Sequence, residues 1–207
     1  MQRIAITGGV AEGKTTILRM FEALGAHTLS SDAIVATLTR PGTELCRQLI
    51  KEFGPSIVAA DGTLARGALA QQAFSEPRLR RRLNQLIHPA VMRALRAQLD
   101  ALETASLVVV EVPLLIEAAL QGAFDGVIVA QATPALQRQR LLQRGVSWQQ
   151  AQRILRAQLP TRAKTAFADW TVRTHRTLEQ VEAQVRRIWQ ELTEPRGVYS
   201  SAQRIRR

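Results

Sequence analysis

Aromatic side chains make up only 4% of this 207-residue chain. That leaves little material for the stacking platforms on which single-stranded nucleic acids lie. A single cysteine, Cys46, excludes an internal disulfide, and its expected place is a buried core position. One cysteine and three scattered histidines also exclude a zinc-type cluster. No apolar run approaches the roughly 20 residues that a membrane-spanning helix needs. The first residues, "MQRIAITGG", lack the basic region and longer apolar run of a signal peptide, so the expectation is a cytosolic protein. Acidic residues are outnumbered 17 to 28, for a formal charge of +11, and arginine supplies nearly all of the excess. Such a balance favours polyanions without choosing among nucleotides, phosphorylated cofactors, nucleic acid and acidic membrane. The charge is spread along the chain, with dense points at "RLRRR" (78–82) and "RIRR" (204–207).

What is present reads as alternating strand and helix. "RIAIT" (3–7) is a short apolar strand running into two glycines, followed by "KTTILRMFEALG", where Ile17, Leu18, Phe21 and Leu24 make one helical face and Gly25 stops it. "AHTL" (26–29) is the next strand, which completes a βαβ unit of a sheet covered on both faces. From Ser31 the texture turns helical: "SDAIVATLTRPG", "TELCRQLIKEFG", "TLARGALAQQAF", and a fourth helix opened by "SEP" that Pro89 is expected to break or restart. "SLVVVEVPLL" (106–115) and "FDGVIVAQA" (124–132) read as buried strands. A long Arg- and Gln-rich helical region (134–168) follows, interrupted at Gly145 and Pro160. "DWTVRT" (169–174) is a last strand, and "LEQVEAQVRRIWQEL" an amphipathic helix with Leu178, Val181, Val185, Ile188 and Leu192 inward. Residues 193–207 read as a disordered basic tail.

"GGVAEGKT" (8–15) fits G-x-x-x-x-G-K-[ST] in full, between a strand and a helix, which is the context the motif requires. The cradle is Gly8, Gly9, Val10, Ala11, Glu12, Gly13, Lys14, Thr15 and Thr16. Its backbone amides and the helix N-terminus would face phosphate, Lys14 would reach the β- and γ-phosphates, and the Thr15 hydroxyl would ligate Mg²⁺. Glu111 is the one charge in "VVVEVP". It is either a carboxylate holding Mg²⁺ through water or a strand-end group with one wet face. Asp32 follows the second strand, at the sheet edge where ligands bind. It could orient or deprotonate an acceptor hydroxyl, and Ser30, Ser31 or Asp32 could equally cap the next helix. Arg140 and Arg144, four apart, share a helix face that could supply cations to a transferring phosphate, whereas Arg138 points away and suits a solvated face.

The ordered set "ITGGVAEGKTT", "SDAIV" with "RPG", "EFG", "ADGTLARGAL", "LIHP", "VPLLIE", "QRQRLLQRG" and "AQLP...K...AD" resembles the dephospho-CoA kinase family over nearly the whole chain up to about Trp189. The resemblance implies an α/β, P-loop NTPase three-layer fold with a five-stranded parallel sheet, a helical insertion and a lid. It also implies a division into a nucleotide-binding core (1–30 and 104–192, lid about 138–165) and a helical substrate domain (31–103). The implied activity is ATP-dependent phosphorylation of the ribose 3′-hydroxyl of dephospho-CoA, with ATP and Mg²⁺. The implied catalytic residues are Asp32, Lys14 and Arg140. His88, Pro89, Pro113, Leu114, Leu115 and Glu117 fall on the acceptor side, and Gln158, Lys164, Ala168 and Asp169 near the nucleotide. His88 before a proline is otherwise a cap or a core hydrogen-bond partner, and Glu117 a solvated helix residue.

The chain departs from the family pattern at several letters. Ser30 stands where the family has a first Asp, Ala36 where it has Arg, and Arg173 and Thr174 where it has a polar pair. Ala11 and Glu12 replace a Gly-Ser pair in the loop, and an acid beside phosphates is tolerable only if it points out. These changes imply reduced or retuned binding rather than loss of activity, because Lys14, Thr15 and Asp32 are kept. Two other readings stay open: a P-loop kinase with another acceptor, and a nucleotide-switched nucleic-acid-binding protein using the basic charge. The expected partner is the small-molecule acceptor, with no obligate nucleic acid, no membrane insertion, and a monomer or weak homo-oligomer.

Overall fold

Five short apolar strands, all running the same way, make the centre of the molecule. They are β1 (Gln2–Thr7), β2 (His27–Ser30), β3 (Leu107–Glu111), β4 (Gly126–Gln131) and β5 (Trp170–Arg173), ordered β2-β3-β1-β4-β5 with every neighbouring pair parallel. The computed structural model describes residues 1–102 and 105–194. The chain leaves β1 toward β2 on one side and returns to β4 on the other. That reversal opens a crevice over the strands' carboxyl ends, where sheets of this kind bind ligands. Register brings the ends level there, with Glu111 opposite both Ile6 of β1 and Ser30 of β2.

Alternate residues of the buried strands feed two apolar layers. Ile4, Ile6, Val109, Ile128 and Ala130 pack with α1 (Lys14–Ala23) and α9 (Leu178–Thr193). Val181, Val185, Ile188 and Leu192 of α9 turn inward as the periodicity requires, but Leu178 is 57% exposed. It is the first residue of the helix, one turn before the first buried position, Val181. Ala5, Val108, Val110, Val127 and Val129 face the opposite way, against Ile34, Leu95 and Leu99.

A third apolar cluster lies in the helical segment, between α3 (Glu44–Phe53), α4 (Arg66–Ser75) and α5 (Pro77–Asp100). Leu49 and Ile57 are fully buried there, each contributing about 1.5–3 kcal/mol of transfer free energy. Cys46 is buried and free, as expected. α5 does not break at Pro89, contrary to the expectation from sequence. Leu86, Ile87 and Ala90 pack into the third cluster, while Val91, Met92 and Leu95 pack toward the sheet. Both halves are therefore held, and packing outweighs the roughly 3 kcal/mol cost of an interior proline. The "RLRRR" run occupies the start of this helix: Leu79 packs inward, Arg78, Arg80 and Arg81 face solvent, and Arg82 pairs with Glu52 at 3.0 Å.

After β4, the long basic region divides where its breakers predict. α6 (Pro134–Gln143) ends before Gly145, α7 (Trp148–Ala157) follows a Ser147 cap, and α8 (Thr161–Lys164) starts after Pro160. Leu141 and Ala151 form a small buried cluster with Ala11, so this segment packs directly on the glycine loop. Arg138, expected on a solvated face, stacks its guanidinium 4.5 Å from the Trp148 ring centroid. Thr193 closes α9 rather than opening the tail, and the rest of the expected basic tail, 195–207, lies outside the described residues.

Candidate active site

The loop from Gly8 to Thr15 turns back over the end of β1 with three residues in left-handed or related conformations: Gly8 (φ 149°), Ala11 (φ 58°) and Gly13 (φ 87°). Glycine meets that demand freely, whereas Ala11 is strained by about 1–2 kcal/mol. Gly9 is required for a different reason. A Cβ there would come within 2.9 Å of Gln137 Nε2 and 3.2 Å of Gln158 Oε1. The loop has no room because the 134–164 segment grips it.

That grip is made of named bonds. Gln137 Nε2 donates to the Val10 carbonyl (2.9 Å), the Val10 amide donates to Gln158 Oε1 (2.8 Å), and Arg140 donates to the Ala11 carbonyl (2.9 Å). Arg140 also donates to the Thr174 carbonyl at 3.0 Å. The Thr174 hydroxyl in turn donates to the Glu12 carbonyl at 2.8 Å. Burial lowers the Arg140 pKa, with the neighbouring Arg144 acting the same way and Glu12 opposing it.

Glu12 does not point out of the loop. Its side chain is fully buried. Its Oε2 accepts the Gly9 amide at 2.5 Å, and its Oε1 accepts the Thr161 hydroxyl. The expectation that an acid here must face solvent is corrected: both oxygens have donors, which satisfies a carboxylate inside the fold.

Lys14, the first residue of α1, folds over the same loop. Its ammonium donates to the carbonyls of Gly9 (2.8 Å) and Gly8 (3.2 Å), leaving one of its three hydrogens uncommitted. Burial lowers its pKa, while Glu111 and Glu12 pull the other way. Glu111 ends β3 and is buried. Desolvation raises its pKa, against the opposing effects of Lys14 and the Thr15 hydroxyl. Thr15 Oγ1 lies 3.2 Å from each Glu111 carboxylate oxygen. A hydroxyl and a carboxylate side by side are hard oxygen donors, which suit Mg²⁺ completed by water and phosphate. Among the described residues no group of three or more His, Cys, Asp or Glu side chains could hold a metal ion by itself. Thr16 is exposed beside Gly13, Arg140 and Thr174.

Across the crevice, Ser30 caps α2 (Ser31–Leu38) by accepting the Ala33 amide at 3.4 Å. Asp32 is therefore free of that duty, and it is exposed. It lines a largely apolar cavity with Ile87, His88, Met92, Pro113 and Leu114. Asp32 also lies near enough to Lys14 and Glu111 to act on the charge of both. Burial lowers the His88 pKa. Leu114 is half exposed at the cavity mouth, whereas Leu115 is fully buried in the core and Pro89 faces solvent, so neither of those two lines the cavity. Glu117 is not a free helix residue: it pairs at 2.6 Å with Lys164, whose side chain is 1% exposed. The ion pair lacks hydrogen-bond alignment, so this buried ammonium is held by charge, with no hydrogen-bond partner among the described residues.

The crevice thus unites Lys14 and Thr15 of α1, Glu111 of β3 and Asp32 of α2, three separate elements, with Arg140 reaching the loop from α6. Sequence reasoning missed Gln137 and Thr161, and it read Thr174 only as a departure. No spacing rule links residues 12 and 161. The one available signal was the charge of Glu12, which had to find a partner if it was buried.

Comparison with known proteins agrees with this geometry. The family model described as "Dephospho-CoA kinase" (CoaE) matches residues 2–180. A dephospho-CoA kinase from Leifsonia xyli subsp. xyli (strain CTCB07) is 37% identical over 193 residues, covering 91% of this chain and 98% of the relative. A crystal structure of TT1252 from Thermus thermophilus superimposes with a TM-score of 0.80 at 32% identity, covering 93% of this chain and 98% of that one. The structure of dephospho-CoA kinase from Campylobacter jejuni shares the fold, with a TM-score of 0.68 at 21% identity and coverage of 93% and 98%.

Proposed function

The chain belongs to the dephospho-CoA kinase family, and on that premise we propose that it transfers the γ-phosphoryl group of ATP to the ribose 3′-hydroxyl of dephospho-CoA, giving coenzyme A and ADP. This is the last step of coenzyme A synthesis, and we assign it to the cytoplasm. The fold is that of the P-loop NTPases, a three-layer α/β arrangement around a parallel sheet. The core is 1–30 and 104–192, the acceptor domain 31–103, and the lid about 138–165.

The observation that carries the reading is Asp32: released from capping by Ser30, on the wall of an apolar cavity, and within electrostatic reach of Lys14 and Glu111. Asp32 would orient the acceptor hydroxyl and take its proton as the new O–P bond forms and the bond to the leaving ADP oxygen breaks. Gly8 to Thr16 would hold the triphosphate, with Lys14 and Arg140 countering charge on the transferring group. Thr15, and Glu111 through water, would hold magnesium, which would supply positive charge to offset the negative charge of the phosphates during transfer. His88, Pro113 and Leu114 would seat the acceptor. Glu117 would act on that side through its pair with Lys164.

The reading is tested by ADP release with dephospho-CoA, with nucleoside monophosphates and with no acceptor. Turnover should depend on dephospho-CoA. Equal or higher turnover with a nucleoside monophosphate would overturn the assignment of acceptor.

A further inference from the structure

The Glu12 side chain has no part in the chemistry above, yet it is among the most deeply buried charged groups of the described residues. Of the contacts by which the lid grips the loop, three end on loop backbone: Gln137 and Gln158 on Val10, and Arg140 on Ala11. The contact from Thr161 ends on the Glu12 side chain instead. Thr161 opens α8, and three residues on, the same short helix carries Lys164, which pairs with Glu117 of the acceptor-side segment. A continuous line of contacts therefore runs from the Gly9 amide through Glu12, Thr161, α8 and Lys164 to Glu117. A serine at position 12 is two carbons too short to make the middle link.

We propose that Glu12 is a positioning residue that fastens α8 to the phosphate cradle and so couples the nucleotide side of the crevice to the acceptor side. The carboxylate acts as an internal anion. It takes one donor from the loop and one from the lid, and it seats Lys164 before any nucleotide arrives. The proposal rests on the kinase reading for its meaning but not for its measurement, which needs neither nucleotide nor acceptor.

The test is amide hydrogen exchange of the ligand-free full chain, read at Ala163 and Lys164, whose amides bond the Pro160 carbonyl. Thr161→Val and Glu12→Ala should each speed exchange at α8 by about tenfold, the worth of a hydrogen bond to a charged group. The double variant should add little, because both changes cut one link. Glu12→Gln should restore protection, since its amide can accept from Gly9 and donate to Thr161. Thr161→Ser keeps the hydroxyl and should exchange like the parent. If Glu12→Ala loosens only the loop and leaves α8 protected, or if the two effects add, Glu12 merely stiffens its own loop and the proposal fails. In the working enzyme, ATP hydrolysis without acceptor should rise as a share of turnover in Thr161→Val, because an unseated lid admits water. An unchanged share would overturn the coupling. A chain that shows the exchange pattern yet ignores dephospho-CoA would sink the acceptor assignment alone.

Discussion

The two walls of the crevice are built in opposite ways. On the nucleotide wall Gly9, Val10, Ala11 and Glu12 all hydrogen-bond to side chains; the Gly9 bond closes on Glu12 inside the loop, and the others tie the loop to residues more than 120 positions away. On the acceptor wall neither Asp32 nor His88 makes a side-chain hydrogen bond among the described residues, and their surroundings are mostly apolar. The nucleotide wall is complete before its ligand arrives. In the proposed assignment the acceptor wall would leave its polar groups for the ligand to satisfy. A site of this kind discriminates most sharply on the open side, where an acceptor lacking a hydroxyl would leave Asp32 without a partner.

That contrast can be broken most severely at Asp32. Asp32→Asn should lower kcat by about 10²- to 10⁴-fold while the KM for ATP changes little, because the nucleotide wall is untouched. Steady-state kinetics with varied ATP checks both numbers, and full turnover in the variant would remove Asp32 from the reaction.

A second test crosses between the walls. Glu117→Gln leaves the Lys164 ammonium buried without the carboxylate it pairs with among the described residues. The cost should be about 2–3 kcal/mol, or a fall in Tm of roughly 5–10 °C for a domain of this size. Adding Lys164→Met should recover most of the loss, because the stranded charge is gone. Thermal melts of the single and double variants decide it.

His88 sharpens the comparison through pH. Burial lowers its pKa from the ordinary 6.5, so the unfolded chain binds the proton more readily than the folded one. Stability should therefore be lost as pH falls through 6.5 toward the lowered value. His88→Gln should flatten that part of the Tm profile between pH 8 and 5, and a slope unchanged by the substitution would show that His88 does not titrate with folding. The smallest effect is expected at Ala11. Ala11→Gly relieves left-handed strain of about 1–2 kcal/mol but frees the unfolded chain by about 0.4–1 kcal/mol. Tm should rise by no more than about 6 °C.

The sequence made the nucleotide wall's chemistry legible and hid its architecture. Lys14, Thr15 and Glu111 announce themselves through a fixed spacing and a lone charge in an apolar strand. Their convergence follows from β1 and β3 being neighbours in the sheet. The burial of Glu12 was not legible, because its partner, Thr161, sits 149 residues away on a four-residue helix. Pro89 misled for the complementary reason. Local propensity argues for a break, and only packing on two separate clusters keeps the helix whole. Asp32 lay between these cases: its place after β2 was readable, but whether it capped α2 depended on which of three neighbouring side chains reached the Ala33 amide.

The continuity of α5 has a consequence for how the molecule comes apart. One half of this helix is packed against the helical insertion and the other against the sheet, so neither body can lose its core without stripping a face from the other. Heating should therefore melt the insertion and the sheet together, in one cooperative transition rather than two. The wall that receives the acceptor then persists for as long as the wall that holds the nucleotide.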